Sequence, residues 1–306
     1  MTAALRRIGL ALLLVTAGGA CGHGSSQPSS GHVALSVVTT TTQLTDFARR
    51  IGAERVAVHG ILKPNVDPHD YEPSPADLDL IARADVIVKN GVGLDRWFDK
   101  VIASATPKGP VIDASQGVPI RHGTGDEEAD GDPHIWHNPR NAILMAGAVE
   151  RALESADRAD TMFFRQNLAD YIGELNQLDA DIARQIATLT NKKLVTNHDA
   201  FGYYIDHYGL EYVGSIIPSF DTSAELSARD VSDIVTRIKS TGTKAIFSES
   251  SIPPKTAEAI GRDAGVRVVA GEDALYGDTL GPAGTEGATY LEMERHNTRV
   301  IVDNLK

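Results

Sequence analysis

The feature of the sequence that most limits the fold is a repeated alternation of short apolar runs with helical patterns. The apolar runs are rich in β-branched residues and have the length of strands, whereas the segments between them place apolar residues at the spacing of one helix face. Parallel strands need a crossover connection, which is usually a helix, so this alternation is typical of parallel sheets. We therefore predict an α/β protein with mainly parallel sheets flanked by helices.

The first alternation begins near residue 33. Its predicted strands cover residues 33–38, 56–61, 86–89 and 111–112. Its predicted helices cover residues 43–50, 75–83 and 141–156. The second of these helices has a well-marked start, because Ser74 can cap it, Pro75 suits its first turn and Asp77 stands at its third position.

A longer helical pattern over residues 161–189 separates the first alternation from the second. The second alternation predicts strands at residues 193–196, 212–216, 245–248 and 266–269. It predicts helices at residues 201–207, 228–239, 255–264 and from about 289 to the C-terminus. Because no Gly- or Pro-rich linker separates the halves, we predict two lobes joined by a long rigid helix. The expected divisions are an N-terminal lobe at 33–158, a linking helix at 159–190 and a C-terminal lobe at 191–306.

The N-terminal segment indicates export. A charged start at Arg6 and Arg7 precedes a short apolar run and small residues, which predicts a signal peptide at residues 1–20. Cys21 is the only cysteine, and its surroundings resemble the lipobox of bacterial lipoproteins, although Gly18 stands where that pattern prefers Leu. The resemblance implies a lipidated Cys21 and a flexible tether over residues 21–32, with ordinary cleavage as the alternative. The expected location is extracytoplasmic, with the chain anchored to the bacterial membrane by the lipid.

The charge of the chain argues against one class of partner. The formal net charge is −12, and Lys and Arg form no run outside the extreme N-terminus. Nucleic-acid-binding surfaces are basic, so we expect no nucleic-acid partner. Residues 121–132 contain a single apolar residue, Ala129, and therefore predict an exposed loop outside any core. Weak capture of cations by the acidic side chains of this loop is the alternative.

Three histidines stand just after predicted strands or at the ends of loops. His69 and His134 each follow a proline, and His198 follows a strand directly. A proline restricts the backbone before the imidazole, as a preorganised site requires. Each histidine alone is a weak signal, since isolated histidines are more often surface or core residues. Taken together, the three predict a metal site.

Asp278 is the candidate fourth ligand. It stands in a loop flanked by glycine and proline, after the last predicted strand. A carboxylate beside three imidazoles completes a tetrahedron, and this ligand set suits zinc better than the harder ions that favour oxygen. Copper and nickel also accept imidazole, so ligand type alone does not fix the metal. A turn residue that bonds its own backbone is the alternative for Asp278.

Four separated motifs carry a family resemblance. They are LKPNVDPHDYEPSPADL at 62–78, DPHIWHNP at 132–139, NHDAFGYY at 197–204 and ALYGDTLGP at 274–282. In this order they resemble the ZnuA/TroA-like (cluster A-I) solute receptors of zinc and manganese ABC importers. The resemblance runs from about residue 33 to the C-terminus. It implies two α/β lobes with the metal site in the cleft between them.

The resemblance also implies the ligands and the partners. Position by position, the metal ligands of the family fall on His69, His134, His198 and Asp278. The third position is histidine in zinc receptors and glutamate in many manganese receptors, so His198 favours zinc as the transported ligand. The implied function is a monomeric, high-affinity zinc receptor, not an enzyme, that delivers its ion to an ABC permease with its ATPase. Loading by a metallochaperone stays open.

Several neighbours of the candidate ligands have alternative interpretations. His137 is interpreted as a neighbour of the site rather than a ligand. Asp70 and Asp199 either orient imidazoles or cap the next helices. Glu249 is interpreted as a cap or turn residue, because no base is evident near it.

Three functions other than zinc uptake remain open from the sequence, and one of them, a surface adhesin, has no exposed motif that supports it. A manganese receptor of the same fold differs only in its preferred ion. A zinc-dependent hydrolase would require an open coordination position for water, which would arise if Asp278 did not bind.

Overall fold

The computed structural model describes residues 34–123 and 130–306. The predicted signal peptide at 1–20, Cys21 and the tether at 21–32 lie outside the described residues, as does the centre of the acidic loop at 124–129. None of the described helices has a stretch long and apolar enough to cross a bilayer.

The first half of the chain forms a parallel sheet of four strands. Their order across the sheet is β2, β1, β3, β4. The strands are β1 at Leu35–Thr39, β2 at Val56–Gly60, β3 at Val86–Lys89 and β4 at Val111–Asp113. The helices that follow the first three strands are α1 at Thr42–Gly52, α2 at Pro75–Arg83 and α3 at Arg96–Ala105. A capping box between Ser74 and Asp77 starts α2, as the sequence predicts.

Helix α3 is the element that sequence analysis missed. Asp95 stands at the N-cap position but makes no capping bond, because its carboxylate accepts the backbone N–H groups of Asn90 and Gly91 instead. The helix forms because Phe98 packs in a buried apolar cluster with residues of the sheet such as Val38. Tertiary burial, not a local start signal, therefore determines this helix.

Two long helices follow the first sheet. They are α4 at Pro139–Ala156 and α5 at Thr161–Ile186, the latter 26 residues long. One face of α5 is buried and carries Phe164, Tyr171, Leu175, Leu178, Ile182 and Ile186. Because α5 contacts α1 and α4 as well as the C-terminal helix, α9 at Tyr290–Leu305, it packs against both halves of the chain.

The second half repeats the parallel architecture. The strands are β5 at Lys193–His198, β6 at Glu211–Ile217, β7 at Ala245–Phe247 and β8 at Arg267–Val269. Their order is β6, β5, β7, β8. The helices before α9 are α6 at Gly202–Tyr208, α7 at Ala228–Thr241 and α8 at Lys255–Ala264. The predicted α/β class with two parallel sheets flanked by helices is confirmed, while the exact lobe boundaries at 158 and 190 stay a prediction.

Candidate metal centre

The four predicted ligands all follow the carboxyl ends of strands. His69 lies in the loop after β2, and His134 lies after β4, just before a short 3-10 turn at Ile135–His137. His198 is the last residue of β5, and Asp278 lies in the segment after β8. Open parallel sheets bind their ligands at this edge, because loops from neighbouring strands meet there. The two sheets thus direct side chains to one point.

The ligand atoms of these four residues lie within 4.8 Å of one another. His134 Nε2 is 3.2 Å from Asp278 Oδ1 and 3.2 Å from His198 Nε2. Asp278 Oδ1 is 3.4 Å from His198 Nε2 and 3.8 Å from His69 Nε2. Tetrahedral zinc with bonds of about 2.0–2.1 Å separates its ligand atoms by about 3.3 Å. The observed spacing therefore suits one small ion bound by all four side chains.

Burial leaves several of these atoms without a hydrogen-bond partner. His134 and His198 are fully buried, Asp278 is 1% exposed, and the side chain of His69 is 5% exposed. Within the described residues, Asp278 Oδ1, Asp278 Oδ2 and His69 Nε2 make no hydrogen bond. A buried carboxylate without donors is costly unless a cation compensates it. These three atoms face one another in the ligand cluster, which is the arrangement that a metal ion would satisfy.

Two of the imidazoles each have their Nδ1 atom, which faces away from the cluster, next to a carboxylate. His134 Nδ1 lies 2.8 Å from Asp132 Oδ1, and His198 Nδ1 lies 2.8 Å from Glu249 Oε1. When Nδ1 donates its proton to a carboxylate, the Nε2 lone pair is free for a metal and the ring orientation is fixed. Asp132 and Glu249 therefore orient the two buried imidazoles toward the cluster.

The pKa values of the cluster show how strongly its charges interact. Burial alone would lower the pKa of His134, but Asp132 and Asp278 outweigh it and raise this pKa to about 9. Burial likewise opposes charge on His198, yet Glu249 and Asp278 raise its pKa well above the usual value. Burial would raise the pKa of Asp278, but the imidazoles of His198 and His134 hold it well below the usual value. The cluster thus favours an ionised carboxylate with positive charge around it.

One sequence interpretation of the neighbours was incomplete, and one was wrong. Glu249 does begin a turn, since its carbonyl oxygen accepts from the backbone N–H of Ile252 at 3.4 Å, but its carboxylate also contacts His198. Asp132 was assigned to an exposed loop, yet it is fully buried and holds His134. Neither Asp70 nor Asp199 orients an imidazole in the described structure, since Asp70 is exposed and the Nδ1 atoms of His134 and His198 pair with Asp132 and Glu249 instead.

His137 is a neighbour of the site, as the sequence predicts. Its Nε2 lies 2.9 Å from the carbonyl oxygen of Gly277, and its Nδ1 lies 2.8 Å from Glu294 Oε1. Both ring nitrogens are therefore engaged with protein atoms. No lone pair on this imidazole points at the cluster.

His69 is the ligand closest to solvent. It lines a cavity of ≈ 290 Å³ together with Arg96, Phe220 and Asp221. The backbone N–H of His69 donates to Asp67 Oδ1 at 2.9 Å, and Thr222 donates to the other oxygen of Asp67 at 2.7 Å. One hydrogen bond therefore joins the loop after β2 to the loop after β6 beside this cavity.

Comparison with known proteins agrees with the fold. The family model described as zinc-uptake complex component A, periplasmic (ZnuA), matches residues 37–304. The structure of the periplasmic zinc-binding protein TroA from Treponema pallidum superimposes with a TM-score of 0.81 at 31% sequence identity, covering 88% of this chain and 98% of that one.

Relatives of similar length bind different metals according to their names. Zinc-binding protein TroA of Treponema pallidum (strain Nichols) is 34% identical over 273 residues, which are 87% of each chain. The manganese-binding lipoprotein MntA of Bacillus subtilis (strain 168) is 31% identical and covers 94% of each chain. The manganese ABC transporter substrate-binding lipoprotein PsaA of Streptococcus anginosus is 28% identical over 98% of this chain and 99% of that one. The chain belongs to the ZnuA/TroA family, the metal-binding substrate receptors of ABC importers, and is not an enzyme.

Proposed function

We propose that this chain is an extracytoplasmic, high-affinity zinc receptor that binds one Zn²⁺ through His69, His134, His198 and Asp278. The observation that carries the proposal is the convergence of three imidazoles and one carboxylate within 4.8 Å. Four protein ligands complete a tetrahedron and leave no position for a reactive water, which suits a binding protein. The ion would link the two sheets, because its ligands follow strands of both.

Zinc fits this ligand set better than manganese does. Imidazole nitrogen is a borderline ligand that suits zinc, whereas manganese prefers carboxylate, carbonyl and water oxygens. A nitrogen at position 198 therefore favours zinc. Manganese remains the second candidate, because relatives that match nearly the whole chain are named manganese-binding proteins.

The proposal includes a lipid anchor and a membrane partner. The relatives MntA and PsaA are named lipoproteins, and Cys21 follows a predicted signal peptide. An anchored monomer would deliver its ion to an ABC permease powered by an ATPase. Substitution Cys21→Ala should move the protein from the membrane fraction to the soluble extracytoplasmic fraction. An unchanged membrane fraction in the variant would contradict lipid anchoring.

The choice of metal is tested on protein purified without the signal peptide and stripped of metal. Zinc and manganese are titrated separately and then together at equal concentrations, and bound metal is counted by mass spectrometry. We expect one zinc per chain and displacement of manganese by zinc. Preferential retention of manganese would contradict the zinc assignment, and binding of neither ion would contradict the ligand set.

A substitution at the third ligand tests why zinc is preferred. His198→Glu replaces a nitrogen ligand by an oxygen ligand, and Glu249→Gln in the same chain removes the carboxylate that would repel the new one. We expect zinc affinity to fall more than manganese affinity in this double variant, because the ligand set becomes harder. Glu249→Gln alone is the matched control. Equal losses for both ions in the double variant would show that position 198 does not determine selectivity.

A further inference from the structure

The carboxylate of Asp278 receives no hydrogen bond that could orient it. In the described structure only the three imidazole Nε2 atoms approach its Oδ1, at 3.2, 3.4 and 3.8 Å. These nitrogens are the other proposed ligands and would face the ion instead of donating to Asp278. The position of this carboxylate therefore depends on how its backbone is held.

The backbone around Asp278 is held by residues from the first half of the chain. The carbonyl oxygen of Gly277 accepts from Trp136 Nε1 at 3.1 Å and from His137 Nε2 at 2.9 Å. The carbonyl oxygen of Asp278 itself accepts from Gln43 Nε2 at 3.0 Å. Trp136 and His137 directly follow the His134 loop, and Gln43 belongs to α1.

The flanking residues of the loop are fastened to the same side. Leu280 N–H donates to Thr42 Oγ1 at 2.8 Å, and the backbone N–H of Asn65 donates to Thr279 Oγ1 at 3.0 Å. Residues 277–280 come from the second half of the sequence, yet these bonds attach them to α1 and to the loop that carries His69. Tyr276, just before them, is instead bonded through its N–H and its carbonyl oxygen to Asn297 of α9.

The donors that hold the two carbonyls are themselves oriented. Gln43 and His137 are fully buried. The hydroxyl of Thr42 donates to Gln43 Oε1 at 3.2 Å, which turns the amide NH₂ toward Asp278. Glu294 Oε1 lies 2.8 Å from His137 Nδ1, which fixes the ring with its Nε2 on Gly277. A buried side chain that donates one hydrogen bond and is bonded to a second residue at its other end has a single orientation, as positioning of a ligand requires.

From these contacts we infer that Gln43 and His137 are positioning residues for the fourth metal ligand, and that they keep Asp278 on the first-lobe side of the cleft with His69 and His134. The inference rests on the proposed ligand set. It divides that set into three ligands fastened to the first half of the chain and one, His198, carried by the second sheet. Misplacing the carboxylate should weaken manganese more than zinc, because manganese depends more on oxygen ligands.

The test removes each donor while keeping the size of the side chain. The variants are Gln43→Met and His137→Met, and His137→Gln is the conservative control, because its amide nitrogen can reach the place of Nε2. Each substitution is made in the wild type and in Asp278→Ala. The zinc and manganese affinities of every protein are measured. The visible absorption of the cobalt(II)-loaded protein is also recorded, because its intensity reports four-coordination. Thr42→Val, which removes the hydroxyl that orients Gln43 and also accepts from Leu280 N–H, is the second variant if Gln43→Met does not fold.

We expect Gln43→Met and His137→Met to weaken manganese roughly tenfold and zinc about threefold. The cobalt bands should weaken, and His137→Gln should restore them. In the Asp278→Ala background neither variant should have a further effect, since the residue through which they act is gone. Equal losses with and without Asp278, or no loss in the wild type, would overturn the positioning role.

These outcomes are distinguishable from a failure of the proposed function. If Asp278→Ala alone leaves both affinities and the cobalt spectrum unchanged, the ligand set is wrong, and the positioning role fails with it. If Asp278→Ala weakens binding while Gln43→Met and His137→Met do not, the zinc receptor stands and only the positioning role is wrong.

Discussion

The two sheets have the same strand order but use the same point in different ways. In each sheet, successive strands are added to one side and then to the other of the two central strands, which are β1 and β3 in the first sheet and β5 and β7 in the second. We call the space at the carboxyl ends of these two central strands the central gap. In the second sheet this gap holds the ligand His198 and its partner Glu249. In the first sheet it holds Thr40 and Asn90, both of which donate to the buried carboxylate of Asp95.

The two central gaps therefore have different roles, since one contains a metal ligand and the other gives structural support. The Asn90 side chain donates to the carbonyl oxygen of Pro133 at 3.0 Å, directly before His134. The central gap of the first sheet therefore supports the loop that carries a ligand, whereas the central gap of the second sheet supplies a ligand itself. Substitution of His198 in the second gap should change metal affinity, and removal of a hydrogen bond to Asp95 in the first gap should change stability.

The largest expected effect is that of His198→Ala. Removing one of four zinc ligands should weaken zinc binding by about 100-fold or more, because the carboxylates of Glu249 and Asp278 lose the imidazole between them. The matched variant in the first sheet is Thr40→Ala, for which we expect a lower free energy of unfolding with zinc affinity nearly unchanged. Competitive titration with a zinc chelator measures the zinc affinity of both variants, and urea unfolding measures their free energy of unfolding. Similar losses of affinity in the two variants would break the distinction between the gaps.

The next effect concerns the carboxylates that hold the imidazoles. Glu249→Gln and Asp132→Asn should each weaken zinc binding by about 10- to 100-fold, because the imidazole becomes less basic and less well oriented. Isothermal titration of the metal-free proteins gives the affinities. If both variants bind as the wild type does, these carboxylates serve packing and not the metal.

The third effect is on stability, and it belongs to the first sheet. Burial outweighs the hydrogen bonds from Thr40 and Asn90 and raises the pKa of Asp95 to about 6. A carboxyl group whose pKa is raised by folding holds its proton more tightly in the folded state, so it stabilises the protein below about pH 4 and this stabilisation is lost as the pH rises through 6. The change should be on the order of 3 kcal/mol in the free energy of unfolding.

Asp95→Asn tests that assignment. The free energy of unfolding of the metal-free variant is subtracted from that of the metal-free wild type at each pH between 4 and 7. This difference should contain the change, because the ligand groups are common to both proteins. Urea unfolding at each pH measures it. Parallel curves for the two proteins would show that Asp95 does not titrate in this range.

The smallest effect concerns the hydrogen bond that joins the loops beside His69. Thr222→Val removes the donor to Asp67 and leaves one hydrogen bond fewer across the cleft, worth about 1 kcal/mol. We expect zinc to dissociate about fivefold faster, with the association rate unchanged. Stopped-flow mixing with a chelator measures the dissociation, and Thr222→Ser, which keeps the hydroxyl, is the control. An unchanged rate would show that this bond does not retain the ion.

Local signals made most of the fold predictable. The alternation of apolar strands with amphipathic helices depends on the spacing of neighbouring residues, and the capping boxes at Ser74 and Ser227 mark helix starts within four residues. Helix α3 lacked such a signal, because Asp95 bonds the end of β3 and not the helix. Its prediction required knowledge of what packs against Phe98.

The same limit of local signals distinguishes the two carboxylates that contact imidazoles, Asp132 and Glu249. Asp132 is two residues from His134, so a short motif contains both, although its hydrophilic neighbours suggested a solvated loop. Glu249 is 51 residues from His198. The two meet because Thr196 pairs with Phe247 across β5 and β7, which places the residues two further on side by side. Strand register of this kind is not readable from local periodicity.

The central claim is that a single zinc ion is bound by three imidazoles and one carboxylate. X-ray absorption at the zinc edge of the loaded protein tests it most directly, because it reports the number, type and distance of the ligands. We expect four nitrogen or oxygen ligands at about 2.0–2.1 Å, with the outer-shell scattering of three imidazole rings. Six ligands at longer distances, or scattering from fewer than three imidazoles, would contradict the ligand set of His69, His134, His198 and Asp278.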